Sequence, residues 1–334
     1  MPVEYLLLLA LGVALGLIAY AAIQYGLLKS TSLAWIDDTV IYFLLPVHVS
    51  LTQQIMGDKI VDLGWAAAFG VMLPVATLLL ATLLGMGRRF VHVPLAAASF
   101  GGGNRGIFLL AILAAVSTAT QVAPLNAAFA SSATSPTILD YFAVMDFTYF
   151  FVFSMFLAPS LMQGGVGQTG VEQLKKMIRP LTAILTVVAL TVLLPKDWLS
   201  PKVADEARFI LSQFLTVTST ALVVARLKFG FSFDLAGIIG AMLVSRAGVL
   251  LAFAAAAYAG LTLQFIAFED FAKLLVIFAV FLVVPPSSYI TSFIASQGDS
   301  SEIDDINRIN ALWNLLFYIL AIASGTLLVL PALV

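Results

Sequence analysis

Apolar stretches long enough to cross a bilayer follow one another along almost the whole of this chain, and two of them are interrupted at their middle. The interruptions read Gly101-Gly102-Gly103-Asn104-Arg105-Gly106 and Pro285-Pro286-Ser287-Ser288. Glycine loses the most backbone entropy on ordering, and proline removes a donor and clashes with the preceding turn, so neither run can continue a helix. Inside a membrane the freed backbone groups must still find partners. Such breaks therefore persist only where protein or a polar cavity surrounds them.

Composition places the rest of the chain in the same setting. Of 334 residues, 61% are hydrophobic and 10% charged, against ~45–50% and ~25% in a soluble domain. The reading is an all-α integral membrane protein. A formal net charge of −2 argues against nucleic acid as a partner. There is no cysteine, which excludes thiolate metal sites, cysteine nucleophiles and disulfides. The two histidines, His48 and His92, lie far apart, so a histidine metal site is not expected. The first apolar run, from Val3 onward, lacks a basic leader and is too long for a signal-peptide core; it reads as a retained first helix.

A spanning helix needs about 20 apolar residues. Ten stretches qualify, at roughly 4–27, 35–55, 64–86, 95–120, 139–163, 177–195, 207–226, 235–260, 269–297 and 308–333. Glycine and proline mark the connections, among them Gly57, Gly85, Pro195, Gly260 and Gly298. The glycine-rich segment 164–176 divides the stretches into five and five, giving repeats at 1–165 and 172–334. The interruptions then fall in the fourth and ninth stretches. An odd number of spans per half forces homologous halves into opposite orientations. Paired breaks in inverted repeats point to the substrate site of a secondary transporter.

Lys and Arg in short loops set the orientation. One side collects Lys29, Arg88, Arg89, Lys175, Lys176, Arg179, Arg226, Lys228 and Arg308; the other has only Lys59, Lys196, Lys202 and Arg208. The richer side is expected to be cytoplasmic, with both termini extracytoplasmic in a multi-pass cell-membrane (inner or plasma membrane) protein.

Around the first interruption the chain reads Ser99-Phe-Gly-Gly-Gly-Asn-Arg-Gly-Ile-Phe-Leu-Leu-Ala-Ile112. This resembles the Asn-Thr-Gly-Phe-x-Gly-x-Pro crossover segment of the auxin efflux carrier family, which includes bacterial dicarboxylate carriers. Asn104 and Gly106 match, Arg105 replaces the threonine, and Ala111 stands at the proline. Val284-Pro-Pro-Ser-Ser-Tyr-Ile-Thr-Ser-Phe-Ile-Ala-Ser-Gln-Gly-Asp299 is similar to the family's second crossover, and Leu44-Leu-Pro46 to its second helix. The resemblance implies ten helices in two inverted five-helix repeats, with helices four and nine broken and crossing. It also implies carriage of a small organic anion by alternating access. The bile-acid sodium symporters share that layout and rank second, since their Ala-Ser-Asn crossover pattern is not seen.

Arg105 carries the sharpest expectation. A guanidinium at a broken helix can bind a carboxylate as a two-pronged pair; alternatively it braces the crossover by bonding free carbonyls or Asp146. Gly103, Asn104, Ser287 and Ser288 are expected to line the same site, where half-helix N-termini offer N–H groups and partial positive charge. Their plainer role is capping. Asp146, in the fifth stretch, is the candidate proton-coupling carboxylate. Arg246 is expected in a structural ion pair, Asp37 and Asp38 as acids favoured at a helix start, and Glu269, Asp270 and Lys273 at the interface. Asp140 reads as a solvated span-edge acid, and His48 as a packing histidine beside a proline kink. The run Thr216-Val-Thr-Ser-Thr220 either bonds back to its own helix or contributes to a sodium site.

No phosphate-loop motif is present, and the triple glycine follows no strand, so ATP hydrolysis and dinucleotide binding are not expected. No paired catalytic aspartates, His-Glu-x-x-His or Gly-x-Ser-x-Gly appear either. A non-enzyme without cofactor or metal is expected. Its partners are a small organic anion, H⁺ or Na⁺ and the lipid bilayer, with no nucleic acid, and a homodimer is compatible with the resemblance. A non-transporting membrane sensor on the same fold is the alternative of a different class.

Overall fold

The computed structural model describes residues 2–56, 198–227, 233–266 and 301–329, together with positions 72, 75–76, 79–80, 83, 145, 185–186, 189–190, 268, 271, 274–275, 278, 282 and 284. Every regular element among them is helical. Three helical segments, Leu7–Gln24, Lys202–Ala225 and Leu243–Thr262, are each long and apolar enough to cross a membrane. The first interruption, the residues after Val284 at the second, and the segment dividing the proposed repeats lie outside the described residues.

Helix α1 (Pro2–Gln24) ends in a paired hydrogen-bond turn. Gly26 N–H donates to Ile23 O at 3.0 Å and Leu27 N–H to Ala22 O at 2.8 Å. Gly26, at φ 72°, takes the left-handed position that this Schellman turn requires.

The second apolar stretch is helical throughout but not uniform. A 3₁₀ turn (Ser30–Leu33) leads into α2 (Ala34–Thr39), then a π-turn (Val40–Leu44), then α3 (Leu45–Met56). Pro46 accounts for the wide turn. It has no N–H for the Tyr42 carbonyl, and its ring would press on that carbonyl in a regular helix. The π-turn moves the bonding one residue on, with Leu45 N–H donating to Val40 O.

Helix α4 (Pro201–Ala225) starts earlier than the apolar pattern suggests. Ser200 is its N-cap, accepting from Val203 N–H at 3.4 Å, and Pro201 sits at the first helical position. Its polar first turns carry exposed pairs, Arg208–Asp205 at 2.9 Å and Lys202–Glu206 at 4.0 Å. The expected start at residue 207 marks where apolar residues begin; the cap and proline set the true start.

Glycines bring α1 and α4 together. A Cβ at Gly12 would lie 2.9 Å from Thr220 Cβ and 3.0 Å from Val217 O; one at Gly16 would lie 2.5 Å from Val224 Cβ and 2.8 Å from Ala221 O. Lipid tails are as apolar as leucine, so helices in a membrane associate by close packing, which this Gly-x-x-x-Gly face allows. The contacts advance together along both chains, so α1 and α4 run parallel. Two spanning helices that run the same way must be separated by an odd number of crossings. The five stretches expected between 35 and 195 meet that parity.

Two buried clusters complete this unit. Leu9 of α1, Val223 and Val224 of α4 and Leu227 pack with Ala311 and Tyr318 of α6 (Ser301–Val329). Leu33 closes on Leu222 and Ala225, with Ala19, Ile23 and Ile36 around them. Helix α5 (Phe233–Thr262) touches α6 and the third stretch, where Leu80 Cδ2 would be 3.1 Å from a Cβ at Gly248. Gly260, expected in a connection, is still inside α5. Its carbonyl accepts from Phe265 and Ile266 N–H at 2.8 and 3.2 Å, and Gln264 takes the left-handed position at φ 61°.

Candidate functional site

The ninth stretch is helical at every described position from 268 to 282, and Val284 is not. Leu274 and Phe278, one turn apart, are buried, whereas Phe268, Leu275 and Leu282 lie on the exposed side. Val284, the described residue just before Pro285-Pro286, is thus already outside the helix, as expected of a residue that precedes proline. Met145, the described neighbour of Asp146, is helical and fully buried. Gly103, Asn104, Arg105, Asp146, Ser287 and Ser288 themselves lie outside the described residues.

Val284 is 0% exposed, and its carbonyl accepts a hydrogen bond from Arg246 Nη1 of α5 at 2.5 Å. The same guanidinium carbon stands 5.9 Å from the ring centroid of Trp313 on α6, within reach of a cation–π contact. Arg246 is 1% exposed. A structural ion pair was the expectation for this residue; the partner on view is a backbone carbonyl at the interruption. A buried guanidinium needs acceptors for its N–H groups, and this carbonyl is one of them.

Helix α6 presents a polar row beside this contact. Asn310 and Asn314 are both 0% exposed; Asn314 Nδ2 donates to Asn310 O at 2.9 Å, and Tyr318 OH donates to Asn314 Oδ1 at 3.3 Å. Asn310, Trp313 and Asn314 share one helical face by their spacing. Tyr318 also belongs to the cluster against α1 and α4, so the row runs from the interruption side to the packed unit. The spacing Asn310-x-x-x-Asn314-x-x-x-Tyr318 in an apolar stretch was the available sequence signal for these residues.

The hydroxyl run on α4 follows its plainer reading at two positions. Thr216 Oγ1 donates to Ser212 O at 2.8 Å and Ser219 Oγ to Thr216 O at 3.3 Å. These bonds serve the helix itself. Thr220 Oγ1 is buried with no hydrogen-bond partner among the described residues; its Cβ faces Gly12. His48 is half-buried on α3, close enough to Arg208 of α4 for their charges to interact.

Asp37 lies in the first turn of α2, where an acid at a helix start was expected. It is buried, and Arg226, which was counted among the inner-loop charges, pairs with it; their side chains are 0% and 7% exposed. The contact joins the start of the second stretch to the end of α4. Together with His48 near Arg208, it sets the second stretch antiparallel to α4.

No family model, no curated protein and no solved structure matches the chain.

Proposed function

We propose that this chain is a secondary transporter that moves a small organic anion by alternating access through a site where the two interruptions face each other. The observation that carries the reading is the Arg246–Val284 contact. Val284, the residue just before the second interruption, is buried, and a charged side chain serves its backbone carbonyl, which is what irregular backbone at membrane depth would need. The helices α1, α2, α3 and α4, held by close glycine contact and a buried ion pair, supply a unit against which the interrupted stretches can move. The resemblance to auxin efflux carriers supports a carboxylate as cargo.

In this reading Arg105 binds the carboxylate, Gly103, Asn104, Ser287 and Ser288 line the site, and Asp146 titrates. The sodium-symporter alternative draws no support from Thr216 and Ser219, whose hydroxyls bond within α4. The deciding experiment is uptake of radiolabelled mono- and dicarboxylates into proteoliposomes under imposed pH or sodium gradients. Arg105→Ala should lose most uptake, and Asp146→Asn should lose pH-driven accumulation while keeping counterflow. Binding without flux for every carboxylate would make the protein a sensor. Wild-type uptake by Arg105→Ala would remove the arginine from the site.

A further inference from the structure

We infer that Arg246 is a positioning residue for the second interruption: by occupying the Val284 carbonyl, its guanidinium fixes the backbone where the chain has left its helix just ahead of Pro285-Pro286. The inference rests on the reading that this interruption lines the transport site. Pro285 and Pro286 have no N–H, so the carbonyls four residues before them lose their helical donors. The Val284 carbonyl differs, since in an uninterrupted helix it would accept from the N–H of residue 288. Here a charged donor holds it at 2.5 Å, and hydrogen bonds from ionised donors are roughly twice as strong as neutral ones. The carbonyl is therefore satisfied without a donor from the following turn, and on the transporter reading backbone N–H groups left without carbonyl partners are what an anion would take.

The guanidinium is itself held in place. It lies over Trp313, whose face of α6 also carries Asn310 and Asn314. Val284, α5 and α6 thus meet at one side chain that is 1% exposed. Arg246 acts through the backbone and does not need to touch the substrate.

The absence of cysteine gives a clean test. Ser288→Cys introduces a single thiol just past the prolines, and its labelling rate with an anionic methanethiosulfonate reports local backbone exposure without any substrate. The rate is compared with Arg246 intact and in Arg246→Met, Arg246→Gln and Arg246→Lys. In Met the rate should change about tenfold, the factor that corresponds to ~1.4 kcal/mol. Lys, which keeps a charged donor, should return it close to the parental rate, with Gln between. Equal rates in all backgrounds, or Lys behaving like Met, would overturn the inference. If Met does not fold, Gln decides: a shifted rate supports the role and a parental rate removes it.

Labelled succinate uptake is measured separately, without the reporter thiol. A positioning role raises KM in the Met or Gln variant, whereas a merely structural one lowers the amount of active protein and leaves KM alone. Labelling that responds to Arg246 in a protein that carries no carboxylate would sink the transporter reading and leave this inference standing. Uptake with unresponsive labelling would do the reverse.

Discussion

Asp37 and Arg226 form a buried ion pair across 189 residues of sequence, joining the first helical turn of α2 to the C-cap of α4. Removing two charges from water costs several kcal/mol, and their attraction repays it only while both are present. Asp37→Ala and Arg226→Ala should each destabilise the protein by about 3–5 kcal/mol, and the double variant by less than the sum. Thermal unfolding in detergent, run as a double-mutant cycle, measures the difference. Additive effects would mean that the pair is not a unit.

The glycine face of α1 makes a graded prediction. Gly16→Ala should cost more than Gly12→Ala, because its Cβ would meet Val224 Cβ at 2.5 Å and the Ala221 carbonyl at 2.8 Å. Backbone oxygen cannot swing aside as a flexible side chain can. Overpacking of this kind costs about 1–3 kcal/mol, read as a loss of thermal stability. Equal melting of the two variants and the parent would contradict the close approach.

Thr220→Val is expected to be neutral or stabilising by up to about 1 kcal/mol. Its hydroxyl is buried without a partner among the described residues, and an apolar group of the same shape removes that penalty. The same unfolding assay checks it. A clear loss of stability would show that the hydroxyl has a partner.

Gln264→Gly should stabilise the end of α5 by about 1 kcal/mol, since a left-handed conformation costs a side chain ~1–2 kcal/mol and glycine nothing comparable. Hydrogen exchange at Phe265 and Ile266, whose N–H groups bond Gly260 O, reports the effect. Faster exchange in the variant would overturn it.

These residues also show how far the sequence can be read. Helical content and membrane character follow from apolar run length; each long described helix overlaps one expected stretch, α4 and α6 starting well before theirs and α5 running past both ends of its own. The end of helical structure at Val284 follows from Pro285 and Pro286. The start of α4 was missed because Ser200-Pro201 lies in polar sequence, where an apolar run gives no signal. The Asp37–Arg226 pair was invisible for a different reason: each residue looks like an ordinary helix-end charge until the fold brings the two ends together. Gly12-x-x-x-Gly16 and the Asn310, Asn314, Tyr318 row were legible as patterns, but composition offered no partner for them. Arg246 was singled out as an intramembrane cation; the carbonyl it serves is a property of the backbone, which no side-chain pattern encodes.

The parallel union of α1 and α4 has a consequence for synthesis. A ribosome adds roughly 5–20 residues per second, so Asp37 is made about ten to forty seconds before Arg226. Until then α1 and the second stretch lack most of the helix they pack against. Burying the Asp37 carboxylate alone would be costly, so it leaves water only once Arg226 is there to pair with it. Close docking of the glycine face and burial of the charge then become one late event. The scaffold of this protein is therefore finished only after more than half of the chain has been made.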